Sequence, residues 1–141
     1  DALNPETNFP VLLEATNYPK SHDSIKLERA SVWSDLISDG KKPKSDGGIA
    51  LLSGAAKEKA ENLFDRLDQY GLFVLRYGEV EHWLPGLNVP RSKRWLRNIF
   101  EALGNDPKVS NYVHPDADDV WAFLDKVAAW IKDKARRGIP L

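Results

Sequence analysis

The chain has 141 residues, 42% of them hydrophobic and 29% charged, with 20 basic residues against 21 acidic ones and no cysteine. This composition is typical of a folded globular protein, and the absence of cysteine excludes disulfides and cysteine-ligated zinc sites. A net charge of −1 gives no global argument for binding nucleic acid or membrane, and no apolar run approaches the ~20 residues that cross a bilayer.

The first part of the chain predicts two helices and a loop. Pro10 suits the first turn of a short opening helix, for which Asn4 or Asn8 would be the cap. Ser24 is a favourable N-cap for a second helix that ends near residues 38–40. Its apolar residues recur at helical spacing: Ile25, Val32, Trp33 and Leu36. Residues 38–48 have the composition of a loop, and residues 49–52 predict a short buried strand.

The middle of the chain predicts a helix followed by a strand. Residues 55–70 carry one apolar stripe, formed by Ala56, Ala60, Leu63, Phe64 and Leu67. Gly71 stands where a glycine commonly ends a helix. Residues 72–75 are short, apolar and β-prone, which favours a buried strand. A helix, a glycine and a strand in this order are typical of α/β proteins.

Two further helices are predicted near the end of the chain. Residues 91–103 carry apolar side chains at helical spacing, and Gly104 ends the pattern. Residues 116–136 predict the last helix, with Asp116 as its N-cap and basic residues near its end. We therefore expect a helix-rich α/β fold, in which residues 1–87 form an α/β segment with one or two short strands. Residues 88–141 would add a C-terminal helical layer within one compact unit.

Two carboxylates follow the second predicted strand. Glu79 and Glu81 lie just past its carboxyl end, where ligands bind in open α/β sheets. In extended backbone, residues two apart share a face, and two carboxylates repel each other unless a cation lies between them. Oxygen ligands suit Mg²⁺ or Mn²⁺. The alternative is an acidic turn that opens a short helix, with Glu79 at the positive end of that helix.

The run Tyr70-Gly71-Leu72-Phe73-Val74-Leu75-Arg76-Tyr77-Gly78-Glu79-Val80-Glu81-His82-Trp83-Leu84 resembles a known passage. It is similar to the late strand of the TOPRIM region in OLD-type ATP-dependent endonucleases, which carry "Gly-Ile-Phe-Val-Leu…Gly-Glu-Leu-Glu…Leu". The resemblance covers roughly residues 1–87, and Asp1-Ala2-Leu3 would be the tail of that family's Asp-x-Asp motif. The family's first-strand glutamate and its ATPase part are absent from this sequence.

The resemblance implies a divalent-metal site for DNA cleavage. Glu81 would be the main metal ligand and catalytic residue, with Glu79 as a second catalytic ligand and Asp1 as a further ligand. Magnesium or manganese would be the cofactor, and the parent protein would supply an ATPase domain. The alternative for Asp1 is a chain terminus with no role.

Basic residues are clustered at two places. The start of the 91–103 helix carries Arg91, Lys93, Arg94 and Arg97, and the loop before residue 49 carries Lys41, Lys42 and Lys44. Both clusters would contact DNA phosphates, which supply most sequence-independent affinity. The alternative is a solvated surface in each case. His82 would be a proton shuttle beside Glu81 or a packing residue, and the tryptophans at helical spacing predict core.

Two functions are consistent with the sequence. The first is the C-terminal part of a metal-dependent, ATPase-linked DNA endonuclease, incomplete as a catalyst in this chain. The alternative is a non-enzymatic helical module that docks a larger protein to a partner or forms a homo-oligomer, and it predicts a contiguous exposed apolar patch on the last two helices. Because the sequence has no methionine, we expect a piece of a longer protein. The lack of cysteine fits a cytoplasmic location.

Overall fold

The computed structural model describes residues 22–79, 92–114 and 120–138, together with residues 82, 84, 87, 89 and 90. The predicted opening helix lies outside these residues. Five α-helices are described: α1 (His22–Ile37), α2 (Pro43–Asp46), α3 (Gly54–Asp68), α4 (Trp95–Leu103) and α5 (Val120–Lys132). Two short 3₁₀ helices, Ser38–Gly40 and Gly48–Leu51, flank α2. The chain divides into two compact units, one formed by the residues up to Glu79 together with those from Val127 on, the other by Val80–Lys126.

The core of the first unit lies between α1, α3 and the 3₁₀ helix at Gly48–Leu51. The apolar stripe predicted on α3 is buried apart from Ala56, which is partly buried: Leu63 and Leu67 are fully inaccessible and Phe64 is 1% exposed. These side chains pack against Ile25, Val32 and Leu36 of α1 and against Ile49 and Leu52. The 3.6-residue spacing of the apolar positions therefore determines which faces of α1 and α3 meet.

The predicted α/β fold is wrong, because no strand is found in the part of the chain that the structure describes. Residues 48–51 form a 3₁₀ helix, since Gly47 and Gly48 at φ 106° and 59° turn the chain before Ile49. A strand also needs a partner strand, and the Ile49 amide donates a single bond to the Arg76 carbonyl at 2.7 Å. This contact does not continue into a ladder.

Residues 72–75 have no regular secondary structure. Gly71, at φ 81°, ends the α3 region, and the Leu72 amide bonds back to the Leu67 carbonyl at 3.0 Å. Leu72 and Val74 then pack on the core, while Leu75 is 58% exposed. The short apolar run that predicted a strand thus includes individual side chains that pack on the core beside α3.

The second unit contains α4. Trp95 and Ile99 are buried on one side of this nine-residue helix and form a small core with Leu84. Leu87, Val89 and Val120 pack against that core. The helix begins four residues after the predicted start and ends at Gly104, as the sequence predicts.

The last helix, α5, ends at Lys132, four residues before the predicted end, and its predicted N-cap Asp116 lies outside the described residues. Within the first unit, the indole nitrogen of Trp130 donates to the Gln69 carbonyl at 3.1 Å. Gly138, at φ 94°, lies so close to the Tyr70 carbonyl that a Cβ would be 2.1 Å from the oxygen. The residues after α5 therefore pack on the end of α3. No helix in the ranges described above is long and apolar enough to cross a membrane.

Candidate functional site

The segment that carries Glu79 lies directly against the loop that carries Lys44. Two backbone hydrogen bonds join them: the Ile49 amide donates to the Arg76 carbonyl at 2.7 Å, and the Glu79 amide donates to the Lys44 carbonyl at 2.8 Å. We call residues 43–49 and 76–79 together the clasp. The clasp places one of the proposed metal ligands beside the lysine-bearing loop, which the sequence does not predict.

Glycine is required on both sides of the clasp. A Cβ on Gly48 would lie 2.0 Å from the Arg76 carbonyl oxygen, and a Cβ on Gly78 would lie 2.5 Å from the Lys44 carbonyl oxygen. Both residues have positive φ, at 59° and 77°, where side chains are strained. The glycine of the Gly78-Glu79 motif therefore has a steric role, because no other residue allows the backbones to approach this closely.

Arg76 connects the clasp to α3. Its Nη2 donates to Asp65 Oδ1 at 2.7 Å and to Asp68 Oδ2 at 2.5 Å, and its guanidinium lies 5.7 Å from the centre of the Phe64 ring. Burial alone would lower the pKa of Arg76, but the hydrogen bonds and charges of Asp65 and Asp68 raise it overall. Arg76 is therefore a fixed cation that orients the 76–79 segment.

Sequence reasoning missed Arg76. The available signal is the pair Asp65 and Asp68, three residues apart on the predicted helix, followed by a lone arginine after a glycine turn. This signal is weak, because the pairing depends on how the chain turns back after Gly71.

Of the proposed metal ligands, Glu79 is described and is half-buried, with its amide in the clasp. Glu81 and Asp1 lie outside the described residues. No group of three or more His, Cys, Asp or Glu side chains that could hold a metal ion is found among the residues with described positions. His82 is exposed.

The two basic clusters differ in their surroundings. On the loop, Lys41 Nζ donates to the Leu51 carbonyl at 3.4 Å, and the Lys42 amide donates to Asp46 Oδ2 at 2.8 Å. In the turn before α4, Lys93 and Arg94 are exposed, and on α4 Arg97 Nε donates to Glu101 Oε1 at 2.9 Å. Arg91 lies outside the described residues. DNA contact by these side chains remains a prediction.

A shallow polar depression of about 500 Å³ lies between α1 and α3. Its lining includes Glu28 and Arg66, which form an ion pair across it. Lys59, also in the lining, is 2.5 Å from Asp35 and donates to Ser31 Oγ at 2.9 Å. Because its charges pair with one another, the depression does not indicate a ligand.

Large apolar side chains are exposed on the last two helices. Leu96 and Phe100 of α4 are 61% and 62% exposed, and Leu124 and Ile131 of α5 are 48% and 57% exposed. None of the described residues of α5 is fully buried. The prediction that the tryptophans are core is confirmed for Trp95, which is 7% exposed.

Comparisons with protein-family models, with curated proteins and with solved structures found no match. The resemblance of residues 70–84 to the OLD-type endonucleases therefore remains a prediction that depends on the motif itself. The same holds for the magnesium or manganese cofactor and for the DNA and ATPase partners.

Proposed function

We propose that this chain is the C-terminal part of a metal-dependent, ATPase-linked DNA endonuclease, and that it is incomplete as a catalyst alone. The observation that supports this most is the clasp, which holds the Gly78-Glu79 motif beside Lys44. In this proposal Glu81 and Glu79 provide metal ligands, with Asp1 as a further one. A bound Mg²⁺ or Mn²⁺ would orient the attacking water and stabilise charge on the scissile phosphate.

The clasp suits this role for two physical reasons. A backbone held by hydrogen bonds on a helix-supported segment presents a carboxylate at low conformational cost, which a metal site requires. The neighbouring Lys44 contacts Glu79 through its backbone, and its exposed side chain would supply a positive charge for a phosphate. The intact protein would act in the cytoplasm, on DNA, together with its ATPase domain.

Because residues 72–75 do not form a strand, the two-residue spacing of Glu79 and Glu81 no longer supports a shared metal site. Extended pairing would have placed Glu79 and Glu81 on the same face, and that periodicity no longer applies. The proposal therefore depends on the position of Glu79 in the clasp and on the resemblance of the surrounding motif.

The test is DNA nicking by the intact parent protein in Mg²⁺ or Mn²⁺. Glu81→Gln and Glu79→Gln should lose cleavage while keeping the wild-type circular dichroism spectrum and thermal midpoint. Glu61→Gln is the matched control, since Glu61 pairs only with Lys57 at 3.8 Å on the surface of α3. Cleavage at the wild-type rate by the Glu81 variant would remove this site from consideration.

The second candidate function is a non-enzymatic helical interaction module. The exposed apolar residues on α4 and α5 favour it, since large exposed apolar side chains commonly mark contact surfaces. Calorimetric titration with Mn²⁺ distinguishes the two candidate functions. Only the nuclease function predicts a heat of Mn²⁺ binding in the wild type that is lost in Glu79→Gln and Glu81→Gln. The module predicts concentration-dependent association by sedimentation, which Leu124→Ser with Ile131→Ser should abolish.

A further inference from the structure

The outer face of α4 combines exposed apolar and basic side chains. Trp95 and Ile99 occupy the buried face. Leu96 and Phe100 lie about 100° around the helix from these two residues; they are spaced i,i+4 and therefore adjacent, and both are more than half exposed. Two large neighbouring apolar side chains in water are unfavourable unless another surface covers them.

Cations lie beside this apolar pair. Arg97 follows Leu96 and Phe100 around the helix, all three within an arc of about 100° at 3.6 residues per turn, and Lys93 lies in the turn that precedes α4. Lys93 and Arg94 are exposed, and the side chain of Arg97 is 76% exposed even though it pairs with Glu101. The three cations therefore lie close to one another at the start of the helix, where the helix dipole also disfavours positive charge, while Glu101 lies in the last turn of α4. An external negative charge would relieve this repulsion.

We propose that this face of α4 is a docking surface for an acidic, amphipathic segment of a partner protein. Leu96 and Phe100 would contact apolar side chains of the partner, and Lys93, Arg94 and Arg97 would contact its carboxylates. Amphipathic helices bind in this way, with apolar residues at i,i+4 spacing and charges at the rim. The proposal rests on the interaction function given above, and it assigns to a partner protein the cations that the nuclease function would assign to DNA.

Two other occupants fit the same face less well. Duplex DNA would pair with the cations but would leave Leu96 and Phe100 in water, because phosphate contacts are polar. An anionic bilayer requires a helix with one long apolar face to insert, whereas α4 has nine residues and uses Trp95 and Ile99 in its own core. The acidic protein segment uses both the charges and the apolar pair.

The test uses the whole chain and fluorescence anisotropy. The probe is a labelled helical peptide of about 16 residues, with leucines at i,i+4 spacing, glutamates beside them and alanines at the remaining positions. Leu96→Ser and Phe100→Ser should each weaken binding about tenfold, and Lys93→Glu should weaken it by an amount that shrinks in high salt. Leu75→Ser, at a residue of the first unit that is 58% exposed, is the matched control and should bind as wild type.

Two comparison probes complete the design: a scrambled peptide of the same composition, and the same helix with lysine in place of glutamate. Equal binding of the scrambled peptide would overturn the proposal, as would wild-type affinity in the Phe100→Ser variant. Competition by duplex DNA or by phosphatidylserine vesicles that depends on Lys93 but not on Leu96 would assign the face to those ligands instead. Leu96→Ser and Phe100→Ser lie outside the predicted DNA contacts, so DNA nicking unaffected by these two variants would show that failure here does not bear on the nuclease function.

Discussion

Gly48→Ala tests the clasp most directly. Gly48 has φ 59°, and a Cβ there would lie 2.0 Å from the Arg76 carbonyl oxygen and 2.8 Å from the Gly78 amide nitrogen. Both are backbone atoms, so no side-chain rotation relieves the overlap. We expect the loop and the 76–79 segment to separate, with loss of the hydrogen bond between Ile49 and Arg76.

The magnitude follows from two contributions. A residue with a Cβ in the left-handed region costs about 1–2 kcal/mol. The two backbone hydrogen bonds of the clasp, at 2.7 and 2.8 Å, contribute about 0.5–1.5 kcal/mol each. The free energy of unfolding should therefore fall by about 2–5 kcal/mol.

Gly40→Ala is the matched control, because Gly40 has φ 72° and no atom within 4 Å of an added Cβ. Gly40→Ala places an alanine at positive φ but brings no steric overlap with other atoms. Both variants lower the entropy of the unfolded chain equally, so that effect cancels in the comparison. Urea unfolding should show Gly48→Ala less stable than Gly40→Ala by about 1–3 kcal/mol, with faster amide exchange at Ile49 and Glu79. Equal stability of the two variants would refute the steric argument.

Three further outcomes are expected from the contacts of the first unit. Arg76→Ala should lower the free energy of unfolding by about 2–3 kcal/mol, against less than about 0.5 kcal/mol for the exposed Arg97→Ala. Asp65 and Asp68 raise the pKa of Arg76 in the folded protein. The contribution of charged Arg76 to the free energy of unfolding is therefore complete below the ordinary arginine pKa, and it is lost only as the pH rises through the higher pKa of the folded state. The effect of Arg76→Ala in urea unfolding should therefore be the same at about pH 7 and about pH 9, and a decline over this range would contradict it. Phe64→Ala, at a residue 1% exposed, should cost about 3–5 kcal/mol by the same measurement, and a loss under about 1 kcal/mol would show that the site is not core. In Gly71→Ala the new Cβ would lie 2.6 Å from the Trp130 ring, so tryptophan emission should shift to longer wavelength; an unchanged spectrum would show that the ring does not pack there.

The sequence predicts the parts of the fold that follow from local periodicity. The stripe on α3 recurs every three or four residues, so the burial of Leu63, Phe64 and Leu67 follows from helix geometry alone. Glycine termination after α3 and α4 is equally local, since Gly71 and Gly104 both have positive φ. These features need no knowledge of distant residues.

The two predicted strands were wrong for a non-local reason. A short apolar run such as 72–75 becomes a strand only where a neighbouring backbone continues the hydrogen bonding, and its own sequence does not report that neighbour. The same reason explains why the clasp was not predicted. The contacts between Glu79 and Lys44, and between Arg76 and Asp68, join residues whose sequence separation gives no periodic signal.

In the last two helices, the spacing of the apolar residues predicts the helix, but the angular width of the apolar arc shows how much apolar surface must be covered. The residues Trp95, Leu96, Ile99, Phe100 and Leu103 span about 140° of α4 at 3.6 residues per turn. The small core of the second unit covers only the part around Trp95 and Ile99, which leaves Leu96 and Phe100 exposed. In α5 the excess is larger, because apolar residues occur around most of the helix and none of those described is fully buried. A helix that is apolar around most of its circumference is normally covered by other protein, so the proposed interaction module depends on the exposed apolar arcs of α4 and α5.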